Sequence, residues 1–271
     1  MAAVQQVRLS TNDLHILNSV FDPESNASAT SITIDASLPP DPSIPSASQL
    51  ASLQARELSA IKQIEAVNPH ATPPEKHTAY KHAEAQLSAL IAAHPHYASA
   101  YNNRAQLRRW RFGDHVALPQ RGAAPTAPSA AAQHTAAALA RALADLDAAI
   151  ACAAPAATSR AVSPAQASVL GRAWAQRGAV LFAVARDLAR AREERLPRWV
   201  VDAVREELCG EGEPEWVLWE RARLEEEGSR CFFVAGLYGS EVGKALAVVS
   251  NPYARLCGAI VREAVRGEVM R

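Results

Sequence analysis

The sequence predicts an all-α protein, and three observations predict it. Alanine supplies 58 of the 271 residues, nearly half of a hydrophobic fraction of 49%. Alanine has the strongest helix propensity and leaves too little side chain to fill a sheet interior. Apolar residues recur at steps of three and four along most of the chain, and no run alternates apolar and polar residues over strand length.

The elements follow in order. Leu14, Leu17, Val20 and Phe21 make a short amphipathic segment within residues 1–23, stopped by Asp22-Pro23. Residues 24–48 are Ser, Ala and Pro with little apolar mass, which predicts a disordered linker and so a flexible N-terminal arm. Helical runs then cover Gln49 to Val67, Glu75 to Ala93 and Tyr97 to Phe112, separated by Asn68-Pro69, Pro95 and Gly113. The prolines and glycine of 115–128 dictate a loop. Leu139, Leu143, Leu146 and Ile150 carry the stripe of a helix over Ala130 to Ala153. A fifth helix is expected over Pro164 to Glu194, a short amphipathic one over Pro197 to Cys209, and another over Trp216 to Ala235, ended by Gly236 to Gly239. Asn251 and Pro252 suit an N-cap and a first helical position. They open a C-terminal capping helix over 251–271 with a stripe through Tyr253, Leu256, Ile260 and Val261.

Paired helices at this spacing predict three degenerate tetratricopeptide repeats over 49–250. Ala83, Leu87 and Leu90 fit a second helix of the unit; Tyr101 and Ala105 fit a first helix and Ala142, Leu146 and Ala149 its second. Trp174 and Gly178, then Gly228, Phe232 and Ala235, fit the third pair. Small residues let neighbouring helices approach while large ones fill the groove between them. Insertions fall near 68–74, 115–128 and 187–220, in inter-helix connections. The expected architecture is a right-handed helical solenoid with the C-terminal cap and the N-terminal arm.

Ala98-Ser99-Ala100-Tyr101-Asn102-Asn103-Arg104-Ala105-Gln106, Ala142-Leu143-Ala144-Asp145-Leu146, Gln176-Arg177-Gly178 and Asn251-Pro252-Tyr253-Ala254-Arg255-Leu256-Cys257 resemble the tetratricopeptide repeat protein 36 family. The early Leu17-Asn18-Ser19-Val20-Phe21-Asp22-Pro23 is similar to that family's short N-terminal segment. The resemblance implies a non-enzymatic adaptor, with links to Hsp70-type chaperones and to the control of tyrosine breakdown. The linker and the insertions depart from the family pattern.

Charge and cysteine usage bound the function. With 28 basic and 28 acidic residues the chain lacks the cationic surplus of a general nucleic-acid binder. No apolar run is long enough for a membrane helix, and MAAVQQVRLSTND lacks the apolar stretch of a signal peptide. Four scattered cysteines without a CxxC pair suit a reducing compartment. The expectation is a cytoplasmic protein, with the nucleus as a second compartment.

The candidate site is a groove lined by the first helices, holding a peptide or helix of a partner protein. Asn102, Asn103, Gln106, Arg109, Arg172 and Gln176 are the residues expected to face it. In a two-carboxylate clamp, Lys or Arg and Asn converge on an acidic chain end. Asn103 and Arg172 fit that pattern, but Glu57 and Ile61 stand where Lys and Asn belong, and Glu57 would repel the ligand. Trp199 and Trp216 are second-choice contacts, since exposed aromatics anchor interfaces. Arg104, Arg108 and Arg111 share a face, read as a helix surface paired with carboxylates. His70, His77, His82, His94 and His96 cluster without a zinc-ligand spacing and read as surface or turn residues. They leave one alternative, a metal-dependent enzyme or metal-binding protein built on the first repeat; a second is a purely structural protein whose arm at 14–21 fills its own groove. Gly239-Ser240-Glu241-Val242-Gly243-Lys244-Ala245 lacks the first glycine, the hydroxyl residue and the preceding strand of a phosphate loop. No cofactor and no metal site is expected.

Overall fold

The structure is a computed structural model that describes residues 32–116, 118, 128–155, 159–208 and 214–251. The arm segment 1–23, the loop centre and the expected cap beyond Asn251 lie outside the described residues, as do Cys209 and Cys257. The described residues form eight α-helices and two two-residue strands. The helices are α1 (Ala47–Glu65), α2 (Pro73–Ala93), α3 (Ala98–Phe112), α4 (Ala130–Ala153), α5 (Pro164–Ala191), α6 (Arg198–Glu207), α7 (Arg221–Leu237) and α8 (Glu241–Ser250). A 3₁₀ turn, Glu215–Leu218, precedes α7.

Local sequence sets several starts. Ser46, Ser129 and Ser240 each accept a hydrogen bond from a backbone N–H of the first helical turn. Thr72 with Glu75 and Ser163 with Gln166 form capping boxes, each followed by proline at the helix start. Helix α5 stops at Ala191, short of the expected Glu194, because Arg192 takes a left-handed φ of 60° and closes the end. Helix α8 lies where the sequence reading placed no helix. Its signal is Ser240 as cap and Val242, Leu246 and Val249 at steps of four and three.

Consecutive helices pack on one another: α1 on α2, α2 on α3, α3 on α4, α4 on α5, α5 on α7 and α7 on α8, with α3 also touching α5. Small residues permit the tightest of these approaches. A Cβ at Gly178 on α5 would lie 2.8 Å from the Gly228 carbonyl oxygen and 2.9 Å from the Phe232 ring of α7. The core lies along this succession. Leu53, Ala60, Tyr80, Leu87 and Leu90 fill it at one end, and Leu139, Leu143, Val180, Leu181, Val184 and Leu188 at the other.

Two expectations are corrected. Composition assigned 24–48 to a disordered linker, yet residues 32–46 are laid onto the helices as a strap. Strand β1 (Thr33–Ile34) pairs in parallel with β2 (Ala161–Val162). Ser163 donates its hydroxyl to the Pro40 carbonyl, Ser43 donates to the His96 carbonyl, and Ile44 is buried against α1 and α2 neighbours. Tertiary hydrogen bonds and one buried isoleucine hold what the low apolar content left unpredicted. The second correction concerns the insertion 187–220. Helix α6 packs on α4, and Leu196, Val200, Val204, Trp216, Val217 and Trp219 enter the same core as α4 and α5. Trp216 is 4% exposed, so it is a core residue and no surface anchor; Trp199 is half-buried against that cluster.

Candidate functional site

Helices α1, α3 and α5 bring four of the six expected groove residues, Asn102, Asn103, Arg109 and Gln176, together in one polar relay. Asp114, just beyond α3, accepts two bonds from Arg109, each 2.7 Å. Arg109 also donates to Oε1 of Gln176 on α5 (3.0 Å), whose Nε2 donates to Oδ1 of Asn102 (2.9 Å). Asn102 donates to Asn103 (3.3 Å), and Asn103 donates to Oε1 of Glu57 on α1 (2.6 Å). The Tyr97 hydroxyl completes the line by donating to Oε2 of Glu57 at 2.8 Å. Burial, together with the neighbouring Glu57, holds the Tyr97 hydroxyl well above the usual tyrosine range, so it stays a donor.

The relay changes the role of some of these residues. Asn102 is fully buried and Asn103 half-buried, so Asn102 braces α3 against α5 and offers nothing to a partner. Glu57 occupies the position where a clamp wants a cation. It is buried, and its neighbours have turned it into an internal anchor for Asn103. Gln106 and Arg172 are exposed, Gln106 on the rim of one cavity and Arg172 on the lining of another. Arg172 bonds only the Ser168 carbonyl of its own helix, and no carboxylate of the described residues pairs with it.

Two cavities make up the groove, joined at Ile61 and Asn103. One, of about 600 Å³, lies between α1, α2 and α3, with Ile61, Ile64, Leu87, Leu107 and the exposed Trp110 as its apolar lining. Its rim carries Gln106, Lys76, Arg111 and Glu65. The other, of about 440 Å³, runs beneath the strap from Pro40 to Pro42 towards Tyr97 and Arg172. The apolar cavity was missed in the sequence, although Ile61, Ile64 and Trp110 stand there as residues off the repeat pattern.

The shared face of Arg104, Arg108 and Arg111 splits. Arg104 and Arg108 both grip Asp145 of α4, at 2.7 and 2.6 Å, and Arg108 also reaches Glu84 at 3.3 Å. Arg111 turns to the cavity instead, its guanidinium 5.3 Å above the Phe112 ring and its buried Nε without a hydrogen-bond partner. Among the described residues no three His, Cys, Asp or Glu side chains meet in a cluster able to hold a metal ion. No described helix is long and apolar enough to cross a membrane.

Comparison with known proteins gives one decisive match. The L-tyrosine degradation gene cluster protein hmgX of Aspergillus fumigatus is 36% identical over 265 residues, covering 96% of this chain and 93% of that protein. The chain belongs to the hmgX family. No family model matches it, and no solved structure does. The match to hmgX runs through the strap, the relay and the insertion alike, so all three are within the span the two chains share.

Proposed function

We propose that this hmgX-family protein is a non-enzymatic adaptor that works in tyrosine metabolism by holding a segment of a partner protein in the groove of α1, α3 and α5. The link to tyrosine breakdown rests on the name of the relative and on the family resemblance read from the repeats. The reading takes α1 to α5 and α7 as three degenerate tetratricopeptide pairs, with α6 and the 3₁₀ turn inserted in the third. One observation carries the binding role: the relay from Asp114 to Tyr97 fixes three helices beside an open apolar cavity, a preformed floor with an exposed tryptophan at its edge.

An Hsp70-type chaperone tail fits this groove less well than an apolar segment. Glu57 sits at the clamp position, and of the clamp cations only Arg172 is present and unpaired. The metal-dependent alternative finds no gathering of its histidines: His77 lies 6.4 Å from the Tyr80 ring and the others are exposed or half-buried.

The test is affinity purification with mass spectrometry on the full chain, comparing wild type with Trp110→Ala plus Arg172→Glu. Both residues are exposed, so the fold is retained, whereas Asn103→Ala would unpair Glu57. Partners that disappear with the double variant, at unchanged helicity and melting, support the adaptor reading. An unchanged partner list overturns it.

A further inference from the structure

The cavity between α1, α2 and α3 carries its charge at one end. Its walls are apolar, with Ile61, Ile64, Leu87, Leu107 and Trp110 among them, and Trp110 is 44% exposed. Towards the strap, Asn103 is held by the buried Glu57, whose carboxylate is turned to Asn103 and Tyr97. The cations stand at the opposite end. Lys76 lies in the first turn of α2 and Arg111 in the last turn of α3. The Tyr80 and Phe112 rings meet edge to face, with centroids 5.5 Å apart, which sets the start of α2 beside the end of α3.

Lys76 and Arg111 both line the cavity, and neither pairs with a carboxylate of the described residues. Lys76 donates to the Pro69 carbonyl at 2.8 Å, and Arg111 keeps a buried Nε without a hydrogen-bond partner. By contrast, Arg104, Arg108, Arg109, Arg141 and Arg177 all hold acids. A buried donor left without an acceptor is costly, and an incoming carboxylate relieves that cost with a charge-assisted bond. Glu65, in the last turn of α1, is the one acid of the described lining, so positive charge is in excess there.

We propose that the partner presents an internal segment in which a large apolar side chain is flanked by Asp or Glu. The apolar side chain sits on Ile61 and Trp110, and the carboxylate pairs with Lys76 and Arg111. Charge complementarity names this class of partner. The carboxylate is that of a side chain, because Glu57 and Ile61 stand where the grip on an acidic chain end needs Lys and Asn. The proposal rests on the adaptor reading and adds to it the chemistry of the bound segment.

The test is a selection of short random peptides against the full-length protein, displayed between fixed flanks so that no free chain end is offered. Selected peptides should converge on Leu, Ile, Phe or Trp with Asp or Glu within about one helical turn. The strongest of them, made with blocked ends and a fluorescent label, is the probe for anisotropy titrations. Lys76→Glu plus Arg111→Glu should weaken its binding at least about tenfold, and a second selection on that variant should prefer Lys or Arg. The milder Lys76→Gln plus Arg111→Gln should weaken it in the same direction at unchanged helicity. Glu65→Gln should tighten it. Raising sodium chloride from about 50 to about 500 mM should weaken it at least about threefold. Convergence on apolar or basic residues without acids overturns the proposal, as does an acidic peptide whose binding ignores salt and both charge variants. Binding that survives Trp110→Ala and is lost with Arg172→Glu places the segment in the other cavity and overturns it too. A selection that enriches nothing also overturns it. In each of these cases the adaptor reading is decided separately, by the partner list of the Trp110 and Arg172 variant.

Discussion

Asn103 Nδ2 donates to Glu57 Oε1 over 2.6 Å and ties α3 to α1 across 46 residues of sequence. The same carboxylate takes the Tyr97 hydroxyl on its other oxygen, so two donors from one helix boundary serve a single buried acid. This arrangement braces α3 against α1, while Asn103 still lines both cavities.

Asn103→Ala should destabilise the protein by about 1–3 kcal/mol, the cost of leaving a buried acceptor short of its donor. Asn103→Asp should do worse at neutral pH, because two facing carboxylates raise the affinity of the pair for a proton in the folded state. A folded-state pKa raised above its unfolded value supports stability below the unfolded pKa and withdraws it as pH rises. Urea midpoints of Asn103→Asp should therefore fall relative to wild type as pH rises above the ordinary carboxylate pKa of about 4. A pH-independent difference would show that Glu57 and position 103 do not face each other.

Asp145 is the acid on which Arg104 and Arg108 converge, with a side chain 5% exposed. Asp145→Ala takes the shared carboxylate from the half-buried Arg104 and from the buried Arg108, which keeps Glu84 alone, and should cost about 3–5 kcal/mol. The exposed pair of Arg195 and Glu220 is the control, since Glu220→Ala should cost no more than about 1 kcal/mol. Equilibrium unfolding of the two variants side by side reads the contrast.

Gly178→Ala should lower the melting temperature more than Gly228→Ala. The added methyl at 178 meets a backbone carbonyl at 2.8 Å and the Phe232 ring at 2.9 Å, whereas at 228 its nearest neighbour is 3.3 Å away. Overpacking of this kind costs about 1–3 kcal/mol, enough for calorimetry to rank the two. Equal melting would mean that α5 and α7 separate freely.

Glu84 links Tyr80 and Arg108 and supplies an acid dependence. Burial pushes its carboxyl up, but the Tyr80 hydroxyl, Arg108 and Lys81 outweigh it and hold the pKa below the usual range. A depressed folded-state pKa stabilises above the unfolded value and is lost as pH falls through the lower one. Between about pH 5 and pH 3, wild type should lose stability more steeply than Glu84→Gln. Chemical denaturation at several acid pH values measures the two slopes.

Much of this was legible. Helices over 130–153 and 98–112 were read almost to the residue, because leucine spacing at one and proline and glycine breaks at both are local signals. Of the residues expected to face a groove, Gln106 and Arg172 are exposed. Asn102 is not, since a helical repeat places a side chain on a face without saying whether Gln176 from 74 residues away will cover it. The strap over 32–46 and helix α8 went unseen. The strap has few apolar residues and gains its place from bonds to Ser163 and His96; α8 is short, and its turn resembles a loop.

By itself the sequence determined the helical class, the helix boundaries marked by caps and prolines and the small residues where helices would meet. Those are consequences of local propensity and of a period of 3.6, which act within a few residues. Only the tertiary structure decided that Glu57 would become a buried anchor, that Trp216 would enter the core and that Arg111 would face an open cavity while Arg104 and Arg108 closed on Asp145. Each of those outcomes depends on which distant helix arrives opposite, and burial and hydrogen-bond pairing are set by that partner.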